Sequence, residues 1–373
     1  MSKDHRPLSC ADKLNLAAQT GLPVLIKGMP GEAKTAFINA IAEATHRHLE
    51  TVIASIREAS EIGGLPVDRP EGIVLHPPAW ANRLKNATQG GILFLDEITC
   101  VMPSVQAALL RVILEKVVGD LTLPKDTWMI AAANPPDIAA NGWELSPPMA
   151  NRFIHLDWEL DTNVWISGMM SGFAAPQQKR LPENWKDQIP QARALVATFV
   201  KMKPTSLRNL PKNESERSGP WPSPRSWDMA ATIYAAFNAA GEDPIQGVEA
   251  CVGTGAAREF SSFIRNMDLP DPETLLAAPD KIKWPDRDDI AFAMLASVTS
   301  VVLAKNTALR WTNAMKVVCS AVSAGKTDLA VISATTLLDK NNRAHNAALP
   351  AAEMSKMFPM LQKSGILEIN ARK

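Results

Sequence analysis

Only one tyrosine and four cysteines occur in the 373 residues, and neither sign of charge is in excess. The cysteines, Cys10, Cys100, Cys251 and Cys319, are far apart and form no CxxC pair. That excludes a disulfide-stapled module and predicts reduced thiols. The six histidines form no HExxH pattern and no cluster with cysteine, so no structural zinc is expected. Lys and Arg number 39, as do Asp and Glu, and the basic surplus of a dedicated nucleic-acid binder is missing. No apolar run reaches the ~18–20 residues that span a bilayer. The polar start, Met1–Pro7, has no apolar stretch behind it, so a soluble, cytoplasmic protein without a membrane partner is expected. What is present is ordinary globular material, 46% hydrophobic and 21% charged, enough for two or three domains.

Up to Asp157, short apolar runs alternate with helical patterns. Leu22–Lys27 ends at Gly28 and leads into a helical stretch through Ala44, and Leu49–Ile56, Gly91–Leu95 and Trp128–Ala133 are further strand-like runs. Continuous apolar strands separated by helices predict a parallel sheet covered on both faces. Beyond Asp157 the stretch 163–185 reads as irregular. Gln188–Met202, Arg225–Ala240, Pro244–Met267, Asp288–Lys305 and Ala308–Ala324 read as helices. Lys201–Arg217 reads as a basic, solvated loop, and Leu269–Pro285 as a hinge. The expected division is an α/β domain over 1–162, a helical domain over 163–280 and a helical extension over 281–373. The apolar faces Ile290/Met294/Val298 and Met354/Met357/Leu361 of that extension need burial.

The sharpest motif is Gly28-Met29-Pro30-Gly31-Glu32-Ala33-Lys34-Thr35, between a strand and a helix. It follows the G-x-x-x-x-G-K-[ST] phosphate loop, with Ala33 in place of the second glycine. Gly28 and Gly31 allow backbone N–H groups to curl round phosphates, a cradle continuing to Ala36, while Lys34 would reach the β- and γ-phosphates. If position 33 requires positive φ, alanine there costs about 1–2 kcal/mol; if it lies in the first helical turn, alanine is harmless. The run Ile92-Leu93-Phe94-Leu95 then delivers Asp96 and Glu97 at a strand end, where ligands sit in parallel sheets. Asp96 and the Thr35 hydroxyl would hold Mg²⁺, and Glu97 would polarise the attacking water. Asn134, at the tip of another buried run, could orient that water or simply form an Asn-Pro turn. Arg152 follows Asn151. Arg225 stands in a first helical turn, where the helix dipole disfavours a cation unless a phosphate lies near.

In this order the five elements resemble the AAA+ ATPases, most closely the MoxR-type branch of the dynein-related group, over about residues 10–240. The resemblance implies a P-loop αβα sandwich with a parallel sheet, followed by an all-α lid. It implies ATP and Mg²⁺ as cofactors, and assigns Asn134 to sensor 1, Arg152 to the arginine finger and Arg225 to sensor 2. It places an insert in Glu58–Gln89. It also implies a self-assembled ring, a homo-hexamer, in which hydrolysis drives chaperone-like remodelling of a client, often a von Willebrand A domain protein. Arg152 is then expected to act in trans. Ala33 and the tail beyond residue 280 depart from the pattern. Two other readings stay open: a nucleotide-gated scaffold with little turnover, against which Glu97 speaks, and a nucleic-acid-associated motor, supported only by the basic loop.

Overall fold

In the computed structural model, which describes residues 8–70, 72–135, 144–173, 175–176 and 178–349, the apolar runs of the first part become one sheet. Strands β1 (Val24–Lys27), β2 (His48–Ile53), β5 (Gly91–Asp96), β8 (Trp128–Ala133) and β9 (Ile154–Asp157) lie in the order β2-β5-β8-β1-β9. Every pairing among them is parallel. Two antiparallel hairpins stand outside the sheet: β3 (Leu65–Arg69) with β4 (Gly72–His76), and β6 (Val117–Val118) with β7 (Leu121–Thr122). They touch each other, because Leu75 N donates to Asp120 Oδ2 at 2.9 Å and Asp120 N donates to Leu75 O at 3.0 Å.

The first helices are α1 (Cys10–Gln19), α2 (Lys34–Thr45), α3 (Ala59–Gly63), α4 (Ala79–Lys85), α5 (Pro103–Glu115), α6 (Pro147–Ala150) and α7 (Thr162–Ser171). Leu25, Leu93, Leu95, Met129 and Ala131 of the sheet form one core with Leu84 of α4 and Val105, Leu109 and Val112 of α5. Ile26, Phe94 and Ile130 alternate with these residues and are buried too, so both faces of the sheet are covered. His155 of β9 is buried on the edge strand: its Nε2–H donates to Ala150 O at 2.8 Å, and Nδ1 has no partner. Burial, reinforced by the nearby Lys27 charge, pushes its pKa down to about 3.

The later helices are α8 (Ile189–Met202), α9 (Glu214–Arg217), α10 (Pro224–Ala239), α11 (Pro244–Val252), α12 (Thr254–Arg265), α13 (Pro272–Ala277), α14 (Asp288–Ala304), α15 (Ala308–Ser323) and α16 (Thr327–Leu338). The chain forms two compact units, Met1–Trp185 with Leu207–Ala257, and Lys186–Ser206 with Arg258–Lys373. These units cut across the expected boundaries at 162 and 280, because α8 packs along α14 and so joins the C-terminal helices. In that second unit Met294, Val298 and Val302 of α14 pack with Trp311, Met315 and Val318 of α15 and Leu337 of α16. The face expected from Met294 and Val298 is therefore buried, with Ile290 partly so, while Met354, Met357 and Leu361 lie outside the described residues.

Three expectations are corrected. The irregular stretch contains a regular helix, α7, started by the Asp161 side chain, which accepts from Asn163 N and Val164 N. The single helix expected over Pro244–Met267 is two, broken at Gly253, whose φ of 82° cannot continue a right-handed helix. The hinge contains α13, capped by Asp271. Among the described residues no helix is long and apolar enough to cross a membrane, and no group of three or more His, Cys, Asp or Glu could hold a metal.

Candidate functional site

Strand β1 runs directly into Gly28, and the space there explains the glycine. A Cβ at residue 28 would meet Trp158 O at 2.7 Å and Trp158 Cβ at 2.9 Å. Trp158, just past β9, braces the loop: its Nε1–H donates to Glu32 O at 2.9 Å, and its ring lies 4.8 Å from that of Phe37. Glu32 in turn accepts from Met29 N at 3.1 Å. Met29, Pro30, Gly31, Ala33, Thr35 and Ala36 are exposed, whereas Lys34 is buried. Ala33 has φ 57° and ψ 24°, so the position does require the left-handed region, and alanine there is strained by about 1–2 kcal/mol. As the N-cap of α2 it offers no side-chain acceptor. The first-turn N–H groups of Lys34, Thr35 and Ala36 are thus left for an anion.

Lys34 Nζ donates to Gly28 O at 2.7 Å, Met29 O at 2.8 Å and Asn134 Oδ1 at 3.2 Å. Burial depresses its pKa, opposed by the charges of Glu32 and Asp96. Its partners are neutral oxygens, so a phosphate would be a stronger one. Thr35 Oγ1 donates to Asp96 Oδ2 at 3.0 Å, and Asp96 Oδ1 accepts from Glu97 N at 2.9 Å. A hydroxyl and a carboxylate in contact are hard oxygen donors that fit Mg²⁺. Glu97 stands beyond the end of β5 with φ 57° and ψ 38°, a second non-glycine residue in the left-handed region. The Ser55 hydroxyl donates to its carboxylate. The loop, Asp96, Glu97 and Asn134 thus meet at one edge of the sheet.

Ser55 and Trp158 escaped the sequence reading. Ser55 lies in a short 3₁₀ turn, Ala54–Ile56, that the apolar run Leu49–Ile56 hid. Its nearness to Glu97 follows from β2 lying beside β5, with Ile53 opposite Asp96.

Arg152 and Arg225 are brought together elsewhere. Arg152 comes just before β9, which is parallel to β1, with Ile154 opposite Val24 and Asp157 opposite Lys27. It is therefore level with the start of β1, at the opposite edge of the sheet from Gly28. The strand length from Leu22 to Gly28 separates the two edges by about 20 Å. Arg152 Nη1 donates to Pro148 O, and its buried Nε has no partner. Burial and the neighbouring Arg225 both depress its pKa. Arg225, exposed in the first turn of α10, has no carboxylate bonded to it among the described residues. Helix α10 is fastened beside Arg152 through Asn151: Asn151 Nδ2 donates to Trp221 O at 3.1 Å, and the N-cap Ser223 hydroxyl donates to Asn151 Oδ1. Arg152 feels the charge of Arg225, and neither guanidinium has an ion pair to a carboxylate among the described residues, so the two can serve an anion.

Residues 23–153 match the family profile described as the AAA domain (dynein-related subfamily). The Nif-specific regulatory protein of Rhodobacter capsulatus is 31% identical over 133 residues, which are 33% of this chain and 22% of that protein. The transcriptional regulatory protein GlrR of Escherichia coli is 34% identical over 127 residues, 32% of this chain and 28% of GlrR. The chain thus spans about a quarter of the length of these curated relatives. Among solved structures, a candidate ATPase of Cytophaga hutchinsonii aligns at 16% identity and a TM-score of 0.41, over 69% of this chain and 88% of that one. A point mutant of RuvB from Thermotoga maritima aligns at 15% and 0.30, over 74% and 80%. The segment that matches this AAA-domain profile, 23–153, holds the Gly28–Thr35 loop, the Asp96–Glu97 strand end and Asn134.

Proposed function

We propose that this chain is a cytoplasmic, Mg²⁺-dependent ATP hydrolase of MoxR type that works as a ring, a hexamer, and uses hydrolysis to remodel a partner protein. One observation supports the reading: the candidate residues fall into two groups at opposite edges of a single sheet. Lys34, Thr35, Asp96, Glu97 and Asn134 stand at one edge, and Arg152 with Arg225 at the other. No arginine side chain crosses the strand length between them, so the pair serves a neighbouring copy.

In that arrangement Lys34 leaves the carbonyls of Gly28 and Met29 for phosphate oxygens. Thr35 and Asp96 would hold Mg²⁺, which would supply charge neutralisation for the phosphates. Glu97 takes the proton of the attacking water, and Asn134 orients that water. Arg152 and Arg225 of the adjacent subunit close the site, and their mutual repulsion is relieved by the anion they meet. A von Willebrand A domain protein or another client as partner rests on the family resemblance alone.

The relatives' names suggest a second reading, a motor linked to nucleic acid. The basic loop gives it little support: Arg217 is spent on Pro211 O at 2.9 Å and Lys212 O at 3.1 Å. A gated scaffold is disfavoured by the presence of Glu97 itself.

Mixed assemblies test the reading. Lys34→Ala subunits lack a working loop but own the arginines, while Arg152→Ala subunits own a good loop without the finger. Together they recover ATPase activity that neither has alone. Verified subunit exchange without recovery at any ratio would refute action in trans.

A further inference from the structure

Helix α7 makes no substantial packing contact with another described helix or strand. Its Val164, Trp165, Ile166, Met169 and Met170 are exposed, Met170 to 83%, and Phe173 just beyond is 63% exposed. Gly168 is its buried residue, and the Phe173 ring covers it: a Cβ at 168 would meet Phe173 Cδ1 at 2.3 Å. Phe173 thus folds back over the gap in the helix and makes its apolar surface continuous.

Two arguments say that this surface is covered in the working protein. A helix of 10 residues is marginal in water without tertiary packing, yet α7 is regular and capped. Its apolar residues also extend round more than half of the circumference, the pattern of a buried helix. Composition then gives the class of the cover. From Leu160 to Pro176 the sequence has no Lys or Arg and a single acid, Asp161. A membrane-surface helix needs a basic polar face, which is missing here. Trp, Phe and Met with charge removed is the composition of the centre of a protein–protein interface.

Position selects the partner. Four residues, Trp158–Asp161, separate α7 from the end of β9, where Asp157 lies opposite Lys27. Helix α7 therefore starts at the edge of the sheet that carries Gly28, the edge to which a second copy must bring its arginine pair. We propose that α7 with Phe173 docks on a second copy of this chain and forms an assembly contact beside the nucleotide site. The proposal rests on the ring reading above.

The test uses the full chain in a Glu97→Gln background with Mg·ATP, followed by sedimentation velocity over a range of protein concentrations. Met170→Glu should weaken self-association by about a hundredfold or more, because a charge would be buried at the contact. Binding of a fluorescent N-methylanthraniloyl ATP per subunit should be unchanged, since Met170 is 83% exposed and lies on α7 rather than in the loop. Met170→Leu should assemble like the parent, and the milder Met170→Ser should fall between. Because the contact is head-to-tail, Met170→Glu subunits still present their arginine edge, so small amounts should shorten parent assemblies. Assembly of Met170→Glu and Met170→Ser identical to the parent would overturn the α7 contact and leave the ring reading standing. A parent that stays monomeric with Mg·ATP at every concentration would overturn both. Nucleotide binding lost together with assembly in the Met170→Ser protein would also overturn it, since α7 would then be supporting the fold of its own subunit.

Discussion

The Ser223 hydroxyl donates to the Asn151 side-chain oxygen at 2.5 Å, and that bond fastens the helix bearing Arg225 to the residue next to Arg152. Both groups are buried. Asn151→Ala would remove both bonds at a cost of about 0.5–1.5 kcal/mol each, since Ser226 Oγ still donates to Trp221 O at 2.8 Å and still lies 3.3 Å from Ser223 Oγ. The expected outcome is a lower Tm together with lost turnover and unchanged ATP affinity per subunit. Arg225→Ala separates the two effects. It removes a like charge beside Arg152, so calorimetry at low salt should show no loss of Tm while turnover collapses. A drop in Tm with normal turnover would show that Arg225 is structural.

Glu97 and Ser55 give a second test. Glu97→Gln should keep ATP binding and stop hydrolysis, because an amide cannot take a proton from water. Ser55→Ala frees one carboxylate oxygen of Glu97 without touching the loop. Hydrogen bonds to charged groups contribute about 1.5–3 kcal/mol, enough to hold the Glu97 carboxylate in place. Basal ATPase should rise several-fold with no change in ATP affinity. A rate equal to wild type would mean that the Ser55 bond holds nothing back.

Ala33 is strained, and replacing it shows by how much. The left-handed backbone disfavours alanine by about 1–2 kcal/mol, whereas glycine adds about 0.4–1 kcal/mol of unfolded-state entropy to be lost. The first term is larger, so Ala33→Gly should raise Tm slightly. Its effect on ATP affinity should stay below tenfold, which corresponds to about 1.4 kcal/mol. A larger gain in affinity would show that the natural loop is a poor binder.

His155 makes stability depend on acid. Its folded pKa of about 3 lies below the ordinary value of 6.5, so the native state holds it neutral while the unfolded state binds a proton. Its contribution is complete above pH 6.5 and is lost progressively as pH falls from there toward 3. Denaturant titration should show about 2 kcal/mol lost between pH 6.5 and 5 from this group. His155→Gln, which cannot charge, should lose less over the same interval, and an equal loss would assign the acid sensitivity to other groups.

What the sequence made legible is what lies contiguous in it. Gly28–Thr35 and Asp96–Glu97 each form one short run, and the strand placing each run is apolar up to its last residue. Trp158, Ser55 and Asn151 gain their meaning from strand order: β9 beside β1, β2 beside β5, and α10 returning to the start of β9. No local pattern states that order. The same holds for the arginines, whose distance from the loop is a matter of parallel pairing rather than of spacing in the chain. Helix α7 was concealed because its residues are apolar on most sides, so the period that marks an amphipathic helix is weak.

The double hydrogen bond between Leu75 and Asp120 has a mechanical consequence. It occupies both backbone groups of Leu75, and Gly119 lies so close that a Cβ there would meet Leu75 O at 2.5 Å. The two hairpins cannot slide past each other without breaking that grip. They travel as one lever, and a spectroscopic label on exposed Ile73 would register the displacement of Val118 and Leu121 along with its own.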